Sequence, residues 1–539
     1  MKEGINNSSK RNAVIQNKYV KNSPKVVVIG AGMAGLVSAL LLANEGADVT
    51  VLEAQENCGG KMRQLFPGQS TEYMNEVEGI DSGPTVLTMK WVFEEIFQAV
   101  GAHLESELDL TRLEILARHA WSADHGEQQL TLFADPIKSL DAVAEFSGPG
   151  EAKKFAQFCK MTKDLYNTLE ASIIREPTPS LKKLALTLGP RGMATLASVG
   201  PMRNLWDGLG AAFKDQRLRQ LFARYATYCG SSPWNAPATL MLIAQVEMDG
   251  VWSVKGGMRS LAKTLERMAR DRGVQFKFKT RCKSIGVKDG SIDAIYTDHD
   301  EIFLADAVVF NGDVAALHCG LLGRDVQNQM NQTKENKSER SLSAVTWTMR
   351  CKVKENSFKL DRHNVFFQNN YINEFNDIFK HKRLPLTPTV YICAQNRGTN
   401  QNDKSLEGIG GDEPIFCLIN APAVGDTYEF TQQELEQCEK ETFNLLSRCG
   451  LQLTTDLSKT IRTQPKDFHQ LFPSTGGALY GQATHGWMQV FSRPTATTQI
   501  RGLFTAGGSV HPGPGLPMAA MSGRLAAGAV TAHLGLTKR

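Results

Sequence analysis

Gly30, Gly32 and Gly35 stand in the pattern Gly-x-Gly-x-x-Gly, and Glu53 follows eighteen residues after the last of them. That spacing can bind a dinucleotide. Gly30 permits a tight turn, Gly32 lets the backbone approach a pyrophosphate, and Gly35 lets a helix pack on the preceding strand. Ala31, Met33 and Ala34 complete the segment, where a helix N-terminus would offer unpaired N–H groups to the phosphates. An acid at position 53 accepts hydrogen bonds from a ribose diol and repels a 2′-phosphate. A second cluster, Cys58-Gly59-Gly60-Lys61-Met62-Arg63, follows directly. Its glycines let the chain pass close to a cofactor, and Lys61 or Arg63 could contact phosphates. Near the C-terminus, Gly507-Gly508-Ser509 leads to His511 and then to Pro517-Met518. Pro517 suits the first turn of a helix. His511, which titrates near neutrality, is a candidate acid or base, or a residue that caps its turn. The glycine motif alone fits FAD and NAD equally.

These residues need an α/β frame to position them. Val26 to Ile29 is a β-branched run suited to a strand buried on both faces. From Met33 to Ala47 the apolar residues recur at helical spacing, and Asp48 to Leu52 forms a second strand ended by Glu53. That is a βαβ unit. A small-residue helix is expected at roughly 517–534. Residues 1–24 are polar and read as a flexible arm without a secretory signal. The polar stretches 325–340 and 395–412 are expected to be mobile surface insertions.

A hydrophobic content of 42% and a charged content of 22% suit a folded protein. The net charge of +4 gives no reason to expect a nucleic-acid partner. Ten cysteines lie scattered without a C-x-x-C pair, so no metal site is expected, and reduced thiols suit a cytoplasmic protein. No apolar run reaches the ~18 residues that cross a bilayer. Residues 181–213 combine Leu, Met, Ala and Trp with scattered Lys and Arg. That composition suits a segment lying on a membrane surface or an ordinary helical cap.

The Gly-Gly-Lys element after the acid resembles flavoproteins of the amine-oxidase and carotenoid-desaturase superfamily, with Lys61 at the usual Arg/Lys position. The segments 81–89, 117–121, 224–230, 250–258, 472–480 and 485–487 are similar to the bacterial-type carotenoid desaturases. Within these they resemble the 1-hydroxycarotenoid 3,4-desaturases more than the phytoene desaturases. The likeness runs from Lys25 to the end, apart from the polar loops. It implies noncovalent FAD held by residues 30–35, Glu53, Gly59 to Arg63, Gly508 and Met518. Backbone groups at Cys282, where the superfamily usually has Val, would bond adenine. It also implies an FAD-binding Rossmann-like domain (25–90, 240–320 and 495–539) with an interleaved α+β substrate domain (91–239 and 321–494).

The substrate so implied is a long apolar carotenoid, drawn from a membrane surface. Hydride leaves a saturated carbon beside a polyene for FAD, and the neighbouring proton goes to a base or water. Asp249 and Arg224 are weaker candidates for that base than His511. The electron acceptor for the reduced flavin stays open. Rival readings are a phytoene desaturase, a flavin-dependent carotenoid isomerase, an amine oxidase and a non-catalytic lipid escort of the same fold.

Overall fold

A computed structural model describes residues 23–68, 79–122, 128–331, 339–398 and 412–536. Nearly all of the expected arm lies outside the described residues, as do 332–338 and 399–411 of the two polar stretches. The described parts of those stretches correct the expectation of mobile loops. Arg324–Met330 is a helix with Val326 buried beneath it. Gln395 bonds both backbone groups of Asp81, accepting from its N–H at 3.0 Å and donating to its carbonyl at 2.7 Å. A polar composition identified these residues as solvent-loving without revealing the partners they find.

Five parallel strands form the nucleotide-side sheet: β1 (Lys25–Ile29), β2 (Asp48–Leu52), β3 (Gln275–Lys277), β4 (Ala307–Phe310) and β5 (Leu503–Thr505). Their order is β5-β4-β1-β2-β3. The register aligns Ile29 with Leu52 and Phe310, and Phe310 with Thr505. The first residues past these strands therefore share one edge. Gly30 donates to Leu52, Asn311 to Ile29, Ala506 to Phe310 and Glu53 to Lys277. In open parallel sheets this carboxyl edge is where ligands bind.

Helix α1 (Met33–Asn44) is buried along nearly all its length. It packs against α3 (Met258–Arg270) and α4 (Leu516–Leu534), while α2 (Lys90–Ala99) packs on α4. A small antiparallel sheet (Cys282–Lys288, Ser291–Thr297 and Ile302–Leu304) shares a core with Val27, Ile29 and Leu52.

The second sheet has seven strands, in the order Leu453–Thr463, Ser343–Val353, Glu413–Ala421, Val390–Ala394, His363–Phe367, Ile115–Trp121 and Gln128–Phe133. A helical layer from Pro136 to Ala223 builds its own core on this sheet, with Phe158, Leu205, Leu218 and Phe222 at its centre. Packing departs from the expected domain limits at two places. Val92, Phe93, Ile96 and Phe97 of α2 join the nucleotide-side core, whereas Leu240, Met241 and Ala244 join the helical core. Periodicity marks an apolar face but not which core will receive it. No described helix is long and apolar enough to cross a membrane.

Candidate functional site

The glycine turn is a steric cradle. A Cβ on Gly35 would stand 2.0 Å from the Gly30 carbonyl oxygen, and one on Gly32 would stand 2.9 Å from Asn311 Oδ1. Gly30 has φ of 99°, in the region glycine favours. Gly60 closes over the same spot, since its Cβ would meet Gly32 Cα at 3.1 Å. The Gly59 N–H donates to the Ala31 carbonyl at 2.8 Å and seats the second turn on the first. Met33, Ala34 and Met62 are buried and hold these turns from beneath.

Glu53 is buried at the edge of β2, and its Oε2 accepts the Ala31 N–H at 2.6 Å while Oε1 accepts that of Gln55 at 2.9 Å. Burial raises its carboxyl above the ordinary range, with these N–H groups pulling the other way. A helix N-terminus, side-chain-free space beside it and an acid at the neighbouring strand end fit a dinucleotide.

Asn311 was not singled out from the sequence, yet it links three strand ends. Its Oδ1 accepts the Gly35 N–H at 2.9 Å, and its Nδ2 donates to the Ala506 carbonyl at 3.0 Å. The only sequence signal is an Asn directly after a short apolar strand.

Lys61 and Arg63 are placed differently from the phosphate role considered for them. Lys61 Nζ donates to the Leu479 carbonyl and lies 5.2 Å from the Phe472 ring. Arg63 donates to Ser82 O at 3.2 Å and Thr463 Oγ1 at 2.9 Å, and stacks over Phe468. Both cations thus tie the glycine turn to the second sheet and its following loop. Cys282 opens the small sheet, where burial pushes its thiol up to about 12.

At the other end, Gly508 and Met518 flank the N-terminus of α4. The Gly507 N–H donates to Ser522 Oγ at 3.1 Å, and the Gly508 carbonyl accepts Arg493 Nη1 at 3.5 Å. His511 is turned elsewhere. Its Nε2 meets the Glu176 carbonyl at 2.9 Å, so Nε2 carries the proton. Burial holds its pKa below the ordinary value, and the ring is not part of the cavity wall. His511 fastens this turn to the helical layer, which disfavours the acid or base role.

Pro512, Pro514 and Met518 line a cavity that encloses about 2180 Å³ when the open solvent at its mouth is included. Leu169, Ile173, Leu184, Leu196, Ile243 and Phe491 contribute its apolar wall. Its wall carries a polar cluster around Glu247. Tyr225 and Tyr228 each donate to this carboxylate at 2.6 Å, and Arg224 Nη2 lies 3.5 Å from it. Arg224 also donates to the Tyr228 hydroxyl at 2.9 Å. Despite burial, the neighbouring carboxylate and hydroxyls hold the Arg224 pKa above its ordinary value. Arg224 was read from sequence, whereas Glu247 was missed; its signal is one acid in the apolar run Leu242–Met248. Asp249 accepts from Gln245 at 2.7 Å and stands outside the cavity wall.

A dinucleotide cradle beside a large apolar cavity is the arrangement of an oxidoreductase that brings a bound cofactor to an apolar substrate. The pattern of the flavin containing amine oxidoreductases matches residues 33–531. The chain belongs to that family. It is 49% identical to a hydroxyneurosporene desaturase of Rubrivivax gelatinosus over 519 residues, covering 96% of this chain and 94% of the relative. It is 30% identical to a 1-hydroxycarotenoid 3,4-desaturase of Flavobacterium sp. over 519 residues, covering 93% and 98%. Among solved structures, cyclohexylamine oxidase of Brevibacterium oxydans superposes with a TM-score of 0.57 at 15% identity, covering 95% of this chain and 100% of that one. At that identity the likeness concerns the fold alone.

Proposed function

We propose that this enzyme removes two hydrogens across C3–C4 of an acyclic carotenoid carrying a hydroxyl or methoxy group at C1. The observation that carries this reading is the 49% identity to a hydroxyneurosporene desaturase over nearly the whole of both chains. The cavity supports it, because burying a polyene yields about 25 cal/mol per Å² of apolar surface and holds the reacting bond in place.

Residues 30–35 hold the pyrophosphate of FAD, Glu53 the ribose, the Cys282 backbone the adenine, and Gly508 and Met518 border the flavin. FAD bound there supplies the acceptor for the hydride. The chain's own residues supply the surroundings. The apolar wall excludes water, and Glu247 offsets the charge of Arg224, so this pair presents no net cation to oppose an allylic cation. Arg493 is buried and donates to the carbonyls of Gly508 and Gln482 and to Thr484 Oγ1, which direct its charge onto neutral acceptors beside the C-terminal glycine turn. We assign the nucleotide domain to the segments 25–90, 240–320 and 495–539, modified by the packing of α2 and of 240–244. The protein works in the cytoplasm on a membrane surface that delivers the substrate.

The test uses purified flavoprotein with liposomes carrying 1-hydroxylated or non-hydroxylated acyclic carotenoids at equal loading. The expected product of the hydroxylated substrate is lighter by two hydrogens and red-shifted. Phytoene oxidised equally fast refutes the proposed specificity. A change of double-bond geometry at constant mass replaces the reading with an isomerase.

A further inference from the structure

The oxygen at C1 lies only three bonds from C3, so a site that presents C3–C4 to the flavin must hold that oxygen nearby. Its partner belongs on the part of the cavity wall beside Pro512, Pro514 and Met518. A methoxy oxygen can only accept a hydrogen bond, so one partner serving both substrates must be a donor.

Among the tyrosines of the cavity wall, three hydroxyls are already engaged. Tyr166 accepts from Trp91, Tyr228 bonds Glu247 and Arg224, and Tyr391 lies 2.7 Å from both Thr85 Oγ1 and His363 Nδ1. The hydroxyls of Tyr371 and Tyr480 have no hydrogen-bond partner among the described residues. Tyr371 packs among Trp206, Trp234, Phe367 and Phe375 in the helical core.

Tyr480 stands between the two cofactor turns. Its neighbour Leu479 receives Lys61 Nζ, and on its other side a Cβ at Gly481 would meet Ser509 Cβ at 2.6 Å. Ser341 pins the backbone, donating its N–H to the Gly481 carbonyl at 2.9 Å and accepting the Tyr480 N–H at 3.0 Å.

We infer that the Tyr480 hydroxyl donates a hydrogen bond to the C1 oxygen and makes Tyr480 the residue that selects oxygenated over hydrocarbon carotenoids. The inference rests on the substrate class proposed above. Burial pushes the phenol up to about 12, so it remains a donor throughout the neutral range.

Tyr480→Phe keeps the ring and removes the donor. With flavin content and thermal stability matched to wild type, its kcat/KM for the 1-hydroxylated carotenoid should fall about ten- to a hundredfold. That for the matched hydrocarbon should hold or rise. An unchanged ratio, or a ratio that collapses in Tyr371→Phe instead, overturns the inference. A second arm leaves the protein intact and compares hydroxy, methoxy and hydrocarbon substrates in competition. A donor favours both oxygenated substrates, whereas rejection of the methoxy substrate along with the hydrocarbon overturns it. If wild type shows no preference for oxygen at all, the proposed function itself fails. A preference that survives Tyr480→Phe removes only the role of Tyr480.

Discussion

Asn311 Oδ1 accepts the backbone N–H of Gly35 at 2.9 Å across a separation of 276 residues. Gly35 lies in the first turn of α1, whose N-terminal N–H groups lack partners within the helix. A Ser, Asp or Asn at the N-cap would ordinarily supply an acceptor. Here the N-cap is Gly32, and a Cβ there would press on Asn311 Oδ1 at 2.9 Å. The cap is therefore supplied from the end of β4. The cofactor turn gains an acceptor without losing its open approach.

Replacing Asn311 with Leu should destabilise the protein by about 1–3 kcal/mol, because it strands the Gly35 donor and the Ala506 acceptor. Thermal unfolding with and without added FAD measures this, and FAD affinity should fall as well. Unchanged values in both measurements would remove Asn311 from the cofactor turn's support.

Gly32→Val should abolish tight flavin binding, since its Cβ alone would press on Asn311 Oδ1 and its methyl groups would enter the pyrophosphate approach. Glu53→Ala should weaken binding less, by about 1–3 kcal/mol. Flavin released from the purified variants on denaturation gives the occupancy. Full occupancy in Gly32→Val would contradict the cradle.

The sequence made one half of this site readable and left the other half hidden. Gly30, Gly32, Gly35 and Glu53 lie on one continuous βαβ unit, so their spacing directly encodes their geometry. Asn311, Glu247 and Tyr480 reach the site through strand order and helix packing, and no local period marks them. Lys61 and Arg63 show the same limit, because a cation beside a glycine turn can face either a phosphate or a carbonyl. His511 follows the C-terminal glycine turn in the chain, but only packing reveals that its ring faces the Glu176 carbonyl.

Glu247 neutralises a guanidinium that has almost no access to solvent. Glu247→Leu should cost about 3–5 kcal/mol by leaving Arg224 buried and unpaired. The double variant Arg224→Met with Glu247→Leu should recover much of that loss. Urea unfolding of the two single variants and the double variant supplies the coupling energy. Additive losses would show that the two groups do not act as a pair.

Glu374 is fully buried, receives bonds from Thr389 and Asn420, and is pushed by burial from 4.5 up to about 7. Its folded-state pKa is raised, so its contribution is complete below about 4.5 and is lost as pH rises through about 7. The loss amounts to about 3 kcal/mol at about 1.4 kcal/mol per unit. Glu374→Gln should flatten the stability profile between pH 5 and 8, as followed by thermal unfolding. An unchanged profile would place the titration elsewhere.

The helix Leu181–Val199 faces the cavity with one side and solvent with the other. It bends at Gly189, where φ is 58°, just before Pro190. Leu184 and Leu196 line the cavity, while Leu186 is 75% exposed and Met202, just beyond the helix, is 81% exposed. Met193 is also exposed, and Lys182, Arg191 and Arg203 are exposed along the same stretch of chain. An insoluble substrate could pass from lipid to the cavity beside such a surface without crossing water. Trp206, which composition alone would include, stacks on Trp234 and under Arg219 and is held within the protein. We therefore expect the triple variant Leu186→Ser, Met193→Ser and Met202→Ser to lose at least about tenfold in affinity for anionic liposomes, given the apolar area withdrawn from lipid. Its thermal stability should stay near wild type, because these side chains are exposed in the folded protein. High salt should weaken binding of the wild type partly, since screening removes the lysine and arginine attraction and spares apolar burial. Co-sedimentation at low and high salt measures both terms. Wild-type protein that stays in the supernatant at every lipid concentration would exclude this surface as the route of entry.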